Sequence, residues 1–182
     1  MLSFAGKLVS GLVSMTMLLF SSYEGNDASF SEILIGHDSE AIRIRTTLLN
    51  AFDNDFDQIF RSGSPVVINY LLDVQRDGEH VETLTFHNII IFDPMNRYFY
   101  IEAEASNFHS FTDSCDELRQ IISEIDVFYD HLGVEGTYRF ELTASMEKVT
   151  LESLEREFDL MLLWKNKIPA ISFTYKVDLH ES

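Results

Sequence analysis

Residues 66–103 read VVINYLLDVQRDGEHVETLTFHNIIIFDPMNRYFYIEA, and this stretch decides the fold. Its first part repeats an apolar side chain at every second position, which is the period of a strand that buries one face. These apolar residues are Val66, Ile68, Tyr70, Leu72 and Val74. The dipeptide Asp77-Gly78 follows, and it accepts the positive φ angles of a tight hairpin turn. The pattern therefore predicts a hairpin whose return strand runs from about His80 to Phe92.

A second turn and a third strand extend this hairpin into an antiparallel meander. In Asp93-Pro94-Met95-Asn96 the proline presets the φ angle of a turn. The strand that begins at Arg97 has two unlike faces. One face carries Phe99, Ile101 and Ala103, and the other carries Tyr98, Tyr100, Glu102 and Glu104.

Three further segments show the same period of two. Near the start of the chain Ile42 and Ile44 alternate with Arg43 and Arg45. Later strands are predicted over Tyr138–Met146 and over Ile168–Leu179. The last of these turns Ile171, Phe173, Tyr175 and Val177 inward, and its Pro169 places it at a sheet edge or a strand end.

Other segments favour helices. Phe52, Phe56, Ile59 and Phe60 have helical spacing between a cap at Asp53 and an end at Gly63. A longer helix is predicted over Ser110–Ile125, with Ser114 and Glu117 as a capping box. Its apolar face consists of Cys115, Leu118, Ile121, Ile122 and Ile125.

The C-terminal third contains a less regular stretch. Thr150 is predicted to cap a short helix that carries Leu151 and Leu154. Residues Phe158 to Trp164 are ambiguous, although their alternation is typical of a strand. The predicted fold class is α+β: mainly antiparallel β, as a curved sheet or a sandwich, with two or three short helices.

The first residues are typical of a targeting segment. Lys7 precedes an uncharged run from Leu8 to Phe20, which is shorter than the roughly 20 apolar residues of a membrane-spanning helix. We therefore expect residues 1–28 to be a secretory signal segment, with cleavage after Ala28 or after Ser22. An uncleaved N-terminal anchor is the alternative. Residues 29–182 then form one α+β domain of ordinary size.

Charge and cysteine content limit the classes of partner. The formal net charge of −17 repels nucleic acids and anionic lipids and favours cationic partners, although solubility alone accounts for such a charge as well. We expect the membrane to be contacted only through the N-terminal segment. Cys115 is the single cysteine, so a disulfide within the chain is impossible, and the signal segment lacks the cysteine of a lipoprotein.

Two acidic motifs have features of known sites. Asp53-Asn54-Asp55-Phe56-Asp57 opens like a calcium loop, but Gln58 and Ser64 occupy the places of the required Gly and bidentate Glu. Glu102 and Glu104 share a strand face with two tyrosines, as in a glycoside hydrolase cleft, yet nothing separates the environments of the two carboxyl groups. Solvent-exposed surface is the better interpretation of both.

The remaining reactive residues indicate no chemistry either. Cys115 lies in the first turn of the predicted helix, but on its apolar face, which favours a core residue over a nucleophile. The histidines lack the clustered spacing of a zinc site. They are His37, His80, His87, His109, His131 and His180. We therefore assign no catalytic, cofactor-binding or metal-binding residue, and expect a protein that is not an enzyme.

The order of elements resembles that of an uncharacterised bacterial family of exported proteins, known as a domain of unknown function. The features that carry the resemblance are the alternating strand from Ile42, Leu49-Asn50-Ala51, a short helix, Gly63, Pro65, the apolar strand to Asp73, the charged hairpin and Arg97-Tyr98-Phe99-Tyr100. It covers about Ile42 to Met146, and after Val149 the chain departs from the family pattern. The resemblance implies a signal segment, this meander with a helix, and a periplasmic or envelope location. It implies no activity.

Two functions follow as hypotheses. The first is a non-enzymatic module of the cell envelope that binds another envelope protein through a strand edge or an acidic face. The second is a small carrier that holds an apolar molecule between the sheet and the helices.

Overall fold

The computed structural model describes residues 25–37, 41–53, 56–130, 134–151 and 156–177. In chain order the elements are β1 (Ser29–Phe30), β2 (Leu34–His37), β3 (Ile42–Leu49), α1 (Phe56–Phe60), β4 (Val66–Arg76), β5 (Glu79–Asp93), β6 (Tyr98–Ala103), a 3-10 helix (Glu104–Ser106), β7 (Phe108–Thr112), α2 (Cys115–Ser123), β8 (Glu124–Tyr129), β9 (Gly136–Met146), β10 (Lys148–Leu151), β11 (Arg156–Asp159), a second 3-10 helix (Leu160–Trp164) and β12 (Ala170–Val177).

The larger sheet has six strands in the order β12-β9-β4-β5-β6-β7, and every neighbouring pair is antiparallel. It curls into a half-barrel. A smaller sheet is centred on β3, which pairs with β2 along one edge and β8 along the other, and with β1 at its end. Strands β10 and β11 form a separate hairpin. The predicted class, α+β with mainly antiparallel strands, is confirmed, and of the two predicted architectures the curved sheet is observed.

The meander forms as predicted, and its turns show why. Asp77 and Gly78 both have positive φ, at 52° and 87°, which is the backbone of a two-residue hairpin turn. In the second turn the Asp93 carboxylate accepts hydrogen bonds from the amides of Met95 and Asn96, at 2.8 and 3.1 Å. The backbone of the first turn and the Asp93 side chain of the second thus fix the register of β4, β5 and β6.

The core lies on the concave side of the six-stranded sheet and continues into the smaller sheet. The predicted apolar faces of β3, β4, β6 and β9 are all buried. Two buried hydrogen bonds tie distant segments to this core: Tyr70 Oη donates to the carbonyl of Ile122 at 3.2 Å, and Trp164 Nε1 donates to that of Ala51 at 2.8 Å.

The helix predicted over Ser110–Ile125 is wrong at both ends. Residues 108–112 form β7, α2 covers only Cys115–Ser123, and 124–129 form β8. The Ser114 cap is correct, because its hydroxyl accepts from the Glu117 amide at 3.3 Å. Beyond Ser123 the alternation of Ile125, Val127 and Tyr129 prevails, since β8 buries this face while pairing with β3. Tertiary pairing has overridden the helical spacing.

The C-terminal stretch also differs from the prediction. Thr150 lies in strand β10, not at a helix cap, while Leu154 lies outside the described residues. The strand predicted over Phe158–Trp164 ends at Asp159, whose carboxylate accepts from the Met161 amide and so caps a 3-10 helix. The last strand was predicted over Ile168–Leu179 and is observed over Ala170–Val177. It is an edge strand, as Pro169 indicated.

Helix α1 buries Phe56, Ile59 and Phe60, as their spacing predicted. The cap predicted at Asp53 borders Asn54 and Asp55, which lie outside the described residues, and it stays a prediction. The same holds for most of the signal segment predicted over 1–28, which is described only from Gly25. Among the described helices, none is long and apolar enough to cross a bilayer.

Candidate functional site

The outer face of the six-stranded sheet, opposite the core, carries several exposed aromatic and polar side chains. Two rows cross from β5 through β6 to β7 on this face: Ile91–Tyr100–Phe111 and Ile89–Glu102–His109. Because side chains directly opposite on antiparallel strands lie about 5 Å apart, each row is a contact path across the sheet.

One end of this face carries an aromatic patch, which we define as Ile91, Tyr98, Tyr100, His109 and Phe111. The Phe111 ring lies 5.3 Å from that of Tyr98 and 5.2 Å from that of Tyr100. The Tyr100 hydroxyl is 3.0 Å from His109 Nδ1 and 3.5 Å from a Glu102 carboxylate oxygen. Phe111 nevertheless stays 61% exposed. An apolar cluster that remains in water is typical of an interaction surface.

The aromatic patch lies beside the end of the sheet, because β7 is an edge strand that pairs with β6 alone among the described strands. Its C-terminal residue Thr112 is buried and firmly held. The Thr112 hydroxyl accepts from the Ser114 amide at 3.1 Å and donates to the Glu117 carboxylate. The Glu117 side chain thus binds Thr112 instead of closing the predicted capping box, and it fixes β7 to the start of α2.

A polar cleft of about 540 Å³ occupies the middle of the same face. We define it by the outward side chains Asn69, Leu71, Thr85, His87, Thr143 and Ser145, with Glu104 and Ile168 at its ends. His87 Nδ1 lies 2.8 Å from a Glu104 carboxylate oxygen, and the same oxygen accepts from the His87 amide at 3.1 Å. Glu104 was expected on the β6 strand face with Glu102, but it begins the 3-10 helix and is therefore carried to this cleft.

The acidic motif at 53–57 is described only in part. Asp57 forms an ion pair with Arg119 of α2, whose other partner is Asp116 at 3.0 Å. In the described part of the chain, no three His, Cys, Asp or Glu side chains lie close enough together to hold a metal ion.

The described histidine side chains lie apart, each with a polar neighbour. His80 is 3.2 Å from Asp73, His87 contacts Glu104, and His109 contacts Tyr100. The side chain of His37 and the whole of His131 and His180 lie outside the described residues.

Cys115 was predicted to be a core residue, but it is only partly buried and packs against the edge of the core. Its Sγ accepts a hydrogen bond from Arg61 Nη2 at 3.1 Å. The Arg61 guanidinium also lies over the rings of Phe92 and Phe99, at 5.3 and 5.1 Å. The sulfur therefore has an arginine neighbour that the sequence did not indicate.

The inward residues invoked for an apolar carrier pack against one another. The Phe140 ring stacks on that of Phe173 at 4.8 Å and meets that of Tyr129 edge-on at 5.2 Å. Tyr70 stacks on Phe86 at 5.2 Å. Burial raises the pKa of Tyr70 well above its usual range, which fits a hydroxyl held away from water. Side chains thus occupy the region beneath these strands, and the carrier hypothesis stays a prediction.

Sequence reasoning missed both the aromatic patch and the polar cleft. Alternation put Tyr98 and Tyr100 on one face of their strand. It also put Asn69 on the face of β4 that Tyr70 does not occupy. It did not show that Phe108–Thr112 is a strand, so Phe111 could not be placed. The cleft also depends on the register between β4 and β9, which are far apart in the chain, and a single sequence contains no signal for that register.

Comparisons of this chain with protein-family models, curated proteins and solved structures found no match.

Proposed function

We propose that this chain is an exported, non-enzymatic protein-interaction module that binds an extended, basic segment of an envelope protein along β7. The observation that carries the proposal is the position of the exposed aromatic patch directly beside β7, a sheet edge that has no second partner among the described strands. An edge strand offers backbone hydrogen bonds to an added strand, and side-chain contacts beside it supply specificity. Aromatic residues are also enriched where proteins bind one another.

The charge of the surface selects the partner. Asp93 lies opposite Tyr98 and Glu102 opposite His109, and Asp113 follows Phe111 by two residues, within a chain of net charge −17. A Lys or Arg side chain is attracted to the face of a Tyr or Phe ring within about 6 Å, and more strongly beside carboxylates. An extended segment with basic residues at alternate positions matches both the edge and the patch.

The opposite edge of the sheet fits a partner less well. The outward positions of β12 are Ser172, Thr174 and Lys176, and lysine on an edge strand hinders strand addition. Exposed aromatic side chains accompany only β7 of the two edges among the described residues.

A peptide titration tests this proposal. The probe is an acetylated octapeptide of alternating Arg and Val, and a Glu–Val octapeptide is its control. We expect binding of the Arg peptide alone, weakened at least tenfold by Phe111→Ala, because a central aromatic contact contributes about 2 kcal/mol or more. Phe128→Ala is the matched control, since Phe128 is an exposed strand aromatic (57%) in the smaller sheet. An affinity that Phe111→Ala leaves unchanged, or lowers no more than Phe128→Ala does, would show that the peptide does not bind at the aromatic patch.

A photo-crosslinking amino acid at position 111, compared with one at 128, tests the same site in the cell. A single envelope protein crosslinked from 111 and not from 128 is expected. Identical products from the two positions, or only cytoplasmic products, contradict the proposal.

The export part of the proposal makes its own prediction about the N-terminus. Asn26 is 5% exposed, and its Nδ2 donates to the carbonyls of Ala51 and Asp53 at 3.1 and 3.2 Å. The Asn26 amide donates to the carbonyl of Leu163 at 2.7 Å. Removing residues through Ala28 would delete these bonds, so we expect the cut after Ser22. The intact mass of protein recovered from the periplasm measures this, and recovery only in the cytoplasm with Met1 retained would refute export.

A further inference from the structure

We propose that the polar cleft on the outer face is a binding site for a neutral saccharide. This inference goes beyond the proposed protein-interaction function, because it concerns β4, β5 and β9 in the middle of the sheet and needs neither β7 nor the aromatic patch.

Strand register builds the floor of the cleft. Asn69 lies directly opposite His87 on one side and Ser145 on the other, and Leu71 lies opposite Thr85 and Thr143. Two parallel rows of three side chains therefore cross three strands. At a strand spacing of about 4.8 Å, each row is roughly 10 Å long. The cleft volume of about 540 Å³ lies within the usual range for small-ligand sites, roughly 300–1,000 Å³.

The hydroxyl groups of the floor are available to a ligand. Within the described residues, those of Thr85, Thr143 and Ser145 hydrogen-bond to no protein group. Each hydroxyl offers one donor and two acceptor positions. In the free protein these positions are hydrated, and a ligand gains affinity only if it reproduces the hydrogen bonds of the water that it displaces. A ligand rich in hydroxyl groups meets this condition.

The charges of the cleft exclude an anionic ligand. The single basic group on its lining is His87, and that imidazole is already paired with Glu104 at 2.8 Å. No lysine or arginine lines the described cleft to bind a phosphate or a carboxylate. Glu104 accepts two hydrogen bonds from His87 at one end of the cleft, whereas the row Thr143–Leu71–Thr85 carries no charged side chain. A neutral ligand is therefore favoured.

The cleft also has apolar surface for the carbon face of a sugar ring. Leu71 lies at the centre of one row and is 40% exposed, and Ile168 at the β12 end is 61% exposed. Both border the same hydroxyl groups. Apolar surface beside several hydrogen-bonding side chains matches a molecule that carries C–H groups on one face and hydroxyls around its rim.

An NMR titration of the full mature chain tests the inference. The probes are methyl glucoside, methyl galactoside, N-acetylglucosamine and maltose, with inorganic phosphate and trilysine as charged counter-probes. We expect at least one saccharide to shift backbone amides of β4, β5 and β9 at the cleft. Thr85→Val and Thr143→Val keep shape and strand preference, and each should weaken binding about fivefold by removing one hydrogen bond. Thr174→Val on the outer face of β12 is the control and should bind as the parent does.

Three results would overturn the inference. The first is an absence of saccharide-induced shifts at the cleft up to about 50 mM, well above the Kd of a weak millimolar complex. The second is a response of the cleft amides to phosphate or trilysine and to no sugar. The third is an equal loss of affinity in Thr174→Val, which would place the sugar elsewhere.

Discussion

The two faces of the six-stranded sheet use the same residue types in opposite settings. On the inner face Phe140 of β9 is 0% exposed and stacks on Phe173 at 4.8 Å. On the outer face Phe111 of β7 also has a close ring neighbour, Tyr100 at 5.2 Å, but remains 61% exposed. Ring contact alone therefore does not distinguish core from surface. The inner ring stabilises the fold because other elements cover it, whereas the outer ring remains exposed, as the proposed interaction surface requires.

The largest expected effect tests this comparison of the two faces directly. Phe140→Ala should lower the free energy of unfolding by about 3–5 kcal/mol, because it removes a buried ring and leaves a cavity. Phe111→Ala should lower it by about 1 kcal/mol or less, the range for cross-strand pairs on an exposed face. Urea denaturation of both variants measures the difference. Similar losses would mean that the outer ring belongs to the core after all.

A second prediction concerns the side-chain hydroxyl of Tyr70, which is buried on the inner face. Tyr70→Phe should cost about 1–1.5 kcal/mol, because the carbonyl of Ile122 loses a buried hydrogen bond. Asn88 Nδ2 also donates to this carbonyl, at 3.4 Å, so the carbonyl keeps one partner. Tyr100→Phe on the outer face is the control. An effect of Tyr100→Phe as large as that of Tyr70→Phe would contradict the assignment of the two faces.

A third, slightly smaller effect tests the helix that follows β7. Ser114→Ala should cost about 1 kcal/mol by removing the cap of α2. Hydrogen exchange should quicken in the first turn of α2 while β4 and β9 stay protected. Unchanged exchange at Glu117 would show that the cap contributes nothing.

The smallest effect is a pH dependence at the β5–β6 turn. Hydrogen bonds from the side chain and the amide of Asn96 lower the pKa of the exposed Asp93 carboxyl below its usual value. A lowered folded-state pKa stabilises the protein above the unfolded-state value of about 3.9, and this contribution is lost as the pH falls through the folded-state value. Melting temperatures of the parent and Asp93→Asn should therefore differ slightly at pH 6 and converge in strong acid. A difference in melting temperature that grows on acidification would show that folding raises the pKa of Asp93 instead of lowering it.

Local patterns were sufficient where a strand has one wet and one dry face. Ile42, Tyr70 and Phe140 lie where their alternation placed them, and Asp77-Gly78 forms the expected turn. They were insufficient between Ser110 and Ile125. There the apolar spacing suits a helix throughout, but only the middle of the segment is helical. Its two ends are strands, because β6 and β3 offer pairing partners that the local sequence does not show.

The candidate sites were less predictable than the fold for a related reason. Thr85, Thr143 and Ser145 come from different strands and become neighbours only through register. Glu104 was placed on the wrong element, because one turn of 3-10 helix moved it from β6 to His87. A periodicity argument works along one strand, and these sites are built across several.

The open edge at β7 has a consequence for self-association. Exposed edge strands with aromatic side chains commonly pair with copies of themselves, and Phe108–Thr112 contains no proline to prevent it. Two copies each carrying −17 repel one another, however, at separations within the Debye length of about 8 Å in physiological salt. The same charge that we propose to attract a basic segment is therefore also expected to oppose pairing between copies at this edge. Colloidal stability and partner choice thus depend on one quantity, and concentrated salt should weaken both together.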